Sequence, residues 1–146
     1  MAPTDRFVSE NTFYIRYAET DAMGIVHHAS YIVYFEEARS HYSRVRGADY
    51  AAFERSGYWL TVSEVHARYK VPARYGQLLT ARCWVDDLKS RSIVFGYEIV
   101  DATTQTVLVT GYSKHICINH QGQVTKLPEE WRAMLVEDSL AGVQSG

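Results

Sequence analysis

Cysteine and proline are scarce in this 146-residue chain, with two of the first and three of the second. Cys83 and Cys117 lie in strand-like segments with no export signal ahead of them, so they read as buried free thiols rather than a disulfide. The opening Met1-Ala2-Pro3-Thr4-Asp5-Arg6 lacks the charged-then-apolar order of a signal peptide, and a cytoplasmic location is expected. No apolar run approaches the ~20 residues of a membrane span. No long basic run occurs and the net charge is −2, which argues against nucleic acid as a partner. The six histidines show no His-Glu-x-x-His spacing, and the cysteines no paired spacing, so no metal is expected. Gly-x-Ser-x-Gly, Gly-x-Gly-x-x-Gly and P-loop strings are missing too. That disfavours a serine-hydrolase elbow and the common phosphate cradles. Repeats, linkers and low-complexity segments are also lacking.

What is present is apolar and aromatic. Hydrophobic residues make up 47% of the chain, and eleven are tyrosine. The length suits one domain, residues 1–146, with 1–9 and 138–146 expected as flexible tails. Thr12 to Tyr17 alternates, placing Phe13, Ile15 and Tyr17 on one face of a strand. Ser30 suits an N-cap, and a helix then runs to about Arg46 with a stripe of Tyr31, Tyr34, Phe35, Ala38, Tyr42 and Val45. Gly47 suits its stop. A short helix is expected from Asp49, as cap, to Ser56. Four strands follow, at Leu60–Val71, Leu79–Asp86, Ser92–Val100 and Val107–Ile118. Leu79, Ala81, Cys83 and Val85 share a face, as do Ile93, Phe95, Tyr97 and Ile99. Polar turns between the strands favour an antiparallel meander. Leu127-Pro128 opens a last short helix. One long helix with a strand-rich remainder gives an α+β class, in which a curved sheet can wrap the helix.

The most informative segment is Tyr17-Ala18-Glu19-Thr20-Asp21-Ala22-Met23-Gly24-Ile25-Val26-His27-His28-Ala29-Ser30-Tyr31. It gathers a phenol, a carboxylate, a glycine hinge and two imidazoles beside a helix start, where unpaired backbone N–H groups can hold a developing oxyanion. Asp21 in such a loop is either a turn former or a carboxylate able to act as a general base or nucleophile. His28 either caps the helix or serves chemistry, through its imidazole or its backbone N–H. His27 reads as a spacer. Tyr17 is a core tyrosine or a site residue. Gly24 reads as a backbone requirement, either a φ that glycine tolerates or close approach of a ligand. Met23, Ile25 and Val26 either pack or line a pocket, and Tyr31 opens the helix beside them. Lys89, Arg91, Lys114 and His115 are candidates for binding phosphates, with Lys89 and Arg91 flanking a turn.

Tyr17, Asp21, Gly24 and His28 fall on a Tyr-x-x-x-Asp-x-x-Gly-x-x-x-His pattern. That string resembles the signature of the 4-hydroxybenzoyl-CoA thioesterase family of hotdog-fold proteins, and most closely its branch of small bacterial acyl-CoA thioesterases related to the Tol–Pal-associated enzyme. Tyr69-Lys70-Val71-Pro72-Ala73-Arg74-Tyr75-Gly76 is similar to a second family turn, with Gln77 where the family has Asp. Ser90-Arg91-Ser92 and Lys126-Leu127-Pro128 add weaker likenesses. The resemblance runs from about Phe13 to Trp131.

It implies a hotdog fold, an antiparallel sheet wrapped around one long helix. It implies an acyl-CoA thioesterase with Asp21 as base or nucleophile, Tyr17 hydrogen-bonding nearby, His28 at the helix start, and Arg91 in the phosphate region. Gly24, Met23, Ile25, Tyr31, Lys89 and Arg91 are the expected substrate contacts. Coenzyme A enters as part of the substrate and no separate cofactor is implied. An acyl-ACP thioesterase and a non-catalytic binding module are the alternatives. The resemblance also implies a homodimer at least, with a tetramer common. Leu60–Val71, with Val62, Val65 and Tyr69, is too apolar to stand as a bare sheet edge.

Overall fold

The computed structural model describes residues 2–47 and 50–138. Apolar–polar alternation builds five strands and helical periodicity builds three helices. In chain order they are β1 (Val8–Tyr14), α1 (Ser30–Val45), α2 (Tyr50–Arg55), β2 (Tyr58–Tyr69), β3 (Leu78–Leu88), β4 (Ser92–Asp101), β5 (Val107–Asn119) and α3 (Glu129–Asp138). The strands form one antiparallel sheet in the order β1-β3-β4-β5-β2. This is the α+β hotdog arrangement, with α1 lying against one sheet face.

The expected meander holds for β3, β4 and β5. The strand before them does not join it at β3. β2 lies at the far edge beside β5, and β1 takes the place next to β3. Alternation encodes which face a residue takes, but not which neighbour its strand chooses. Val8 and Ser9, expected in the N-terminal tail, belong to β1, where Ser9 opposes Cys83. Arg6 extends the attachment by donating from Nη1 to the Val85 carbonyl at 3.0 Å. Residues 139–146 and the expected cap Asp49 lie outside the described residues.

Five α1 side chains are buried, Tyr31, Tyr34, Phe35, Ala38 and Tyr42. Each large one contributes about 1.5–3 kcal/mol on burial. Val45, expected in the same stripe, is exposed instead, at the point where the helix end runs past the core. Across the core stand Leu79, Ala81, Cys83 and Val85 of β3 and Ile93, Phe95, Tyr97 and Ile99 of β4, all buried as their alternation requires. Phe35 stacks on Tyr97 with ring centroids 4.4 Å apart. The helix can come this close partly because β5 carries Gly111. A Cβ there would sit 2.3 Å from the His66 carbonyl oxygen and 2.7 Å from the Phe35 ring. Both cysteines are buried free thiols, and burial pushes each thiol up, away from thiolate chemistry.

β2 is an edge strand, and its register breaks between Val62 and Glu64. Val62 opposes His115 and Val65 opposes Ser113, so the bulge returns both valines to the face that carries α1. Val62, Val65 and Tyr69 remain half-exposed along that edge.

Candidate active site

The signature segment folds as a strap between β1 and α1. A single 3-10 turn, Tyr17–Glu19, follows the first strand. Asp21 then closes a tight loop on itself. Its Oδ1 accepts the Met23 N–H at 2.8 Å and, more weakly, the Ile25 N–H at 3.4 Å. The Asp21 N–H donates to the Ile25 carbonyl at 2.8 Å. Gly24 occupies the turn with φ of +78° and nothing within 4 Å of where a Cβ would be. Its positive φ answers the backbone requirement that the sequence suggested. With Oδ1 engaged, Oδ2 of Asp21 has no partner among the described residues.

The second family-like segment holds this loop from the other side. Val26 N–H donates to the Ala73 carbonyl at 2.8 Å, and Tyr75 N–H to the Gly24 carbonyl at 3.2 Å. Gln77 stands where the family has Asp, and its Oε1 accepts the Arg74 N–H at 2.9 Å, the acceptor role a carboxylate would fill. The amide adds what Asp lacks, a donor, which it gives to Asp101.

The start of α1 corrects two expectations. Ala29, not Ser30, is the N-cap, and it has no capping side chain. The Ser30 hydroxyl instead donates back to the Glu19 carbonyl at 3.3 Å. His27, expected as a spacer, supplies the missing cap, because its Nδ1 accepts the Ala29 N–H at 3.1 Å. The rings of His27 and His28 stack at 4.2 Å. Ser30 N–H is taken by the His27 carbonyl and Tyr31 N–H, at 3.4 Å, by the His28 carbonyl. The His28 N–H is left without an acceptor among the described residues. The Tyr69 hydroxyl donates to the His28 carbonyl at 3.2 Å and ties the end of β2 to the helix start.

These elements enclose a cleft of about 410 Å³. The strap contributes Asp21, Ile25 and Val26, the helix start His28 and Tyr31, and the end of β2 with its following turn Tyr69 to Pro72. Burial raises the Tyr31 phenol, so it stays protonated there. Asp21, Ile25, Val26, His28 and Tyr31 are therefore brought together.

Tyr17 and Met23 are not part of the cleft. Tyr17 lies beyond the end of β1, largely exposed, edge-on to Tyr75 at 5.6 Å, and it makes no hydrogen bond to Asp21. The Met23 side chain is 73% exposed. Lys89 and Arg91 stand in the β3–β4 turn, beside Ser92, whose neighbours across the sheet are Ile116 and then Thr61. The cleft is at Tyr69, eight residues farther along β2, about 26 Å at strand rise. Lys114 and His115 point to opposite faces of β5. His115 is enclosed beneath α1 at 2% exposure, which takes it out of the expected phosphate group.

Glu19 carries a role the motif reading passed over. Its carboxylate accepts the Arg16 N–H at 2.8 Å, the Arg16 guanidinium, and the Tyr34 hydroxyl at 2.9 Å. Its backbone carbonyl accepts the His27 N–H at 2.9 Å. Glu19 thus pins the strap to the second turn of α1. The sequence cue was present, since Glu19 lies inside the motif and Tyr34 just beyond it, but only folding shows that they meet. No group of three or more His, Cys, Asp or Glu side chains suited to a metal occurs among the described residues.

A curved antiparallel sheet on one long helix, with a carboxylate strap at the helix start, places the chain in a known class. Residues 15–135 match the thioesterase-like superfamily, and the chain belongs to it. Among its relatives, "Putative acyl-CoA thioesterase YneP" of Bacillus subtilis is 33% identical over 114 residues, spanning 78% of this chain and 82% of that protein. The acyl-CoA thioester hydrolase YbgC of Escherichia coli O6:H1 is 31% identical over 88 residues, 60% of this chain and 66% of that protein. The DHNA-CoA thioesterase of Staphylococcus aureus superposes with a TM-score of 0.88 at 26% identity, covering 95% of each chain.

Proposed function

We propose that the protein hydrolyses acyl-CoA thioesters to a carboxylic acid and free coenzyme A. The observation that carries this is the pairing of two unsatisfied groups on one cleft: Oδ2 of Asp21, and the N–H of His28 at the positive end of α1. A thioester carbonyl whose oxygen rests on the His28 N–H presents its carbon to Asp21. Asp21 then either removes a proton from attacking water or attacks the carbon itself. In both routes negative charge grows on the carbonyl oxygen, where an N–H aimed in advance stabilises it. Collapse expels the coenzyme A thiolate, which in the first route takes the proton that Asp21 removed from water. In the second, water then hydrolyses the acyl anhydride on Asp21, freeing the acid and regenerating the carboxylate while its proton goes to the thiolate. The YneP and YbgC names support this reaction, and the Tyr17, Asp21, Gly24 and His28 pattern supports the 4-hydroxybenzoyl-CoA thioesterase-like, Tol–Pal-related branch.

The same reading makes the working unit a homodimer, with a tetramer as the next assembly. β2 ends the sheet with half-exposed Val62, Val65 and Tyr69. Two β2 edges paired antiparallel bury that stripe and satisfy its open backbone groups. Such a pairing sets the Leu60 end of one copy beside the Tyr69 end of the other. Lys89 and Arg91 of one copy then approach the cleft of its partner, where they meet coenzyme A phosphates. A location in the cytoplasm accords with the free thiols of Cys83 and Cys117.

The test is thiol release from a panel of acyl-CoA thioesters by wild type and Asp21→Asn. The substitution keeps the side chain's shape and removes its charge. Turnover should fall by about 100-fold or more, the scale of a lost acid–base group, while the melting temperature holds. Unchanged hydrolysis by folded Asp21→Asn excludes Asp21. Hydrolysis of acyl-ACP but not acyl-CoA points to the other carrier, and tight binding without turnover to a binding module.

A further inference from the structure

A second cavity, of about 140 Å³, lies under the middle of α1. Tyr50, Leu60 and Phe95 supply its apolar walls, and the polar ones include Glu36, Arg39 and His115 with two α1 serines. Its size is close to the ~150 Å³ that takes a benzene molecule. Behind it runs a hydrogen-bonded chain. Arg39 Nη1 donates to Tyr97 Oη at 3.1 Å, Tyr97 Oη meets Ser113 Oγ at 2.5 Å, and Ser113 Oγ meets His115 Nε2 at 2.7 Å. Tyr97, Ser113 and His115 are each at most 2% exposed.

The chain has a direction. Arg39 only donates, so Tyr97 Oη accepts from it. If Ser113 also donated to Tyr97, the Tyr97 proton would be buried without an acceptor. Tyr97 therefore donates to Ser113, and Ser113 donates to His115 Nε2. An imidazole that accepts at Nε2 carries its proton on Nδ1. Burial, reinforced by the Arg39 charge, pushes His115 down to about 3, so the ring is neutral near pH 7. Nδ1 has no partner among the described residues. The one fully enclosed side-chain nitrogen or oxygen without a partner there is Trp131 Nε1. His115 Nδ1 is thus not sealed off, and the open space beside His115 is this cavity. The result is an N–H donor held at the floor of a small chamber of mixed apolar and polar lining, with the rest of the Arg39 guanidinium beside it.

We propose that this chamber seats the distal end of the acyl group, and that His115 Nδ1–H with Arg39 selects acyl groups bearing an uncharged hydrogen-bond-accepting oxygen over all-hydrocarbon ones. This rests on the thioesterase reading above. The oxygen is uncharged because Arg39 and Glu36 both line the cavity and their charges offset each other, leaving no net charge to compensate the burial of a carboxylate. The chamber lies at the Leu60 end of β2 and the Asp21 cleft at the Tyr69 end. The antiparallel β2 pairing that completes a dimer brings these two ends of different copies together. An acyl chain held at one copy's Asp21 then points into the other copy's chamber.

The experiment compares kcat/KM for 5-oxohexanoyl-CoA and hexanoyl-CoA in wild type, His115→Phe and His115→Asn. Phe keeps a planar aromatic ring, somewhat larger than imidazole, without the donor. Asn restores an N–H near the Nδ1 position. Leaving a buried donor unmatched costs about tenfold, so wild type should prefer the oxo substrate by about that factor. His115→Phe should bring the ratio to within about twofold of unity, and His115→Asn should recover part of it. A wild-type ratio near one, or a ratio unmoved by His115→Phe, overturns the proposal. The same pair as non-hydrolysable thioether analogues reads the preference in Kd. Loss of turnover with the Kd preference intact overturns only the thioesterase reading, and loss of the preference overturns this one. Should His115→Phe fail to fold, Ser113→Ala frees Nε2 to take the proton and should weaken the preference; an unweakened one counts against the proposal.

Discussion

Glu19→Gln tests whether the strap is held by its carboxylate. The carboxylate is 12% exposed and the Arg16 side chain 73%. An ion pair with so exposed a partner is worth less than ~1 kcal/mol. The hydrogen bond from Tyr34 is different, because Tyr34 is 2% exposed. Replacing its charged acceptor with an amide costs about 1 kcal/mol. Together the loss is about 1–2 kcal/mol, or a melting temperature lower by roughly 3–8 °C at this chain length. Arg16→Ala alone should cost less than half of that. A cycle with Tyr34→Phe should show a coupling of about 1 kcal/mol.

The pH dependence gives a separate check on the same residue. Burial by itself raises the Glu19 carboxyl, but the Arg16 guanidinium, the Arg16 N–H and the Tyr34 hydroxyl outweigh it and hold it below the ordinary 4.5. A depressed carboxyl stabilises the fold fully above its unfolded value and loses that contribution as pH falls through its folded one. The melting-temperature gap between wild type and Glu19→Gln should therefore be constant from about pH 6 to 7 and close below about pH 4. The assay is differential scanning fluorimetry across pH, with thiol release alongside. Equal melting curves at neutral pH, or a gap that widens on acidification, would refute the reasoning.

Four further outcomes are expected. His28→Ala should lose less activity than Asp21→Asn, because the backbone N–H survives; equal losses would move the essential role to the imidazole. Lys89→Ala and Arg91→Ala should raise KM for acyl-CoA more than they lower kcat, and should matter less for a truncated thioester without the nucleotide; equal penalties on both substrates would free these side chains from any nucleotide role. Gly111→Ala should destabilise by about 1–3 kcal/mol or more through overpacking, since its Cβ would lie 2.3 Å from the His66 carbonyl oxygen; a near wild-type urea midpoint would contradict that contact. Activity should fall on dilution as light scattering shows dimers dissociating, and a monomer with full activity would remove the β2 pairing.

The sequence by itself determined the elements and their faces. Alternation at Leu79, Ala81, Cys83 and Val85 and the stripe from Tyr31 to Tyr42 report burial directly, because side-chain period follows backbone geometry. Its string from Tyr17 to Tyr31 also named the strap and the helix start, a local arrangement written in adjacent residues. Only the tertiary structure decided what depends on distant partners. Ser9, Glu10 and Asn11 carry little strand signal and are in β1 because the edge of β3 was open to them. β2 lies beside β5 because β5 offered the remaining free edge of the β3–β4–β5 meander. The family resemblance put Tyr17 beside Asp21, yet on the 3-10 turn it stands largely exposed. His27 looked idle, and it caps the helix. His115 looked like one of several phosphate contacts, whereas its position on β5, facing α1 beside Ser113, buries it and keeps its ring neutral. Chemistry of that kind is set by which groups fold against one another and how far water is excluded, and no local pattern in the chain records either.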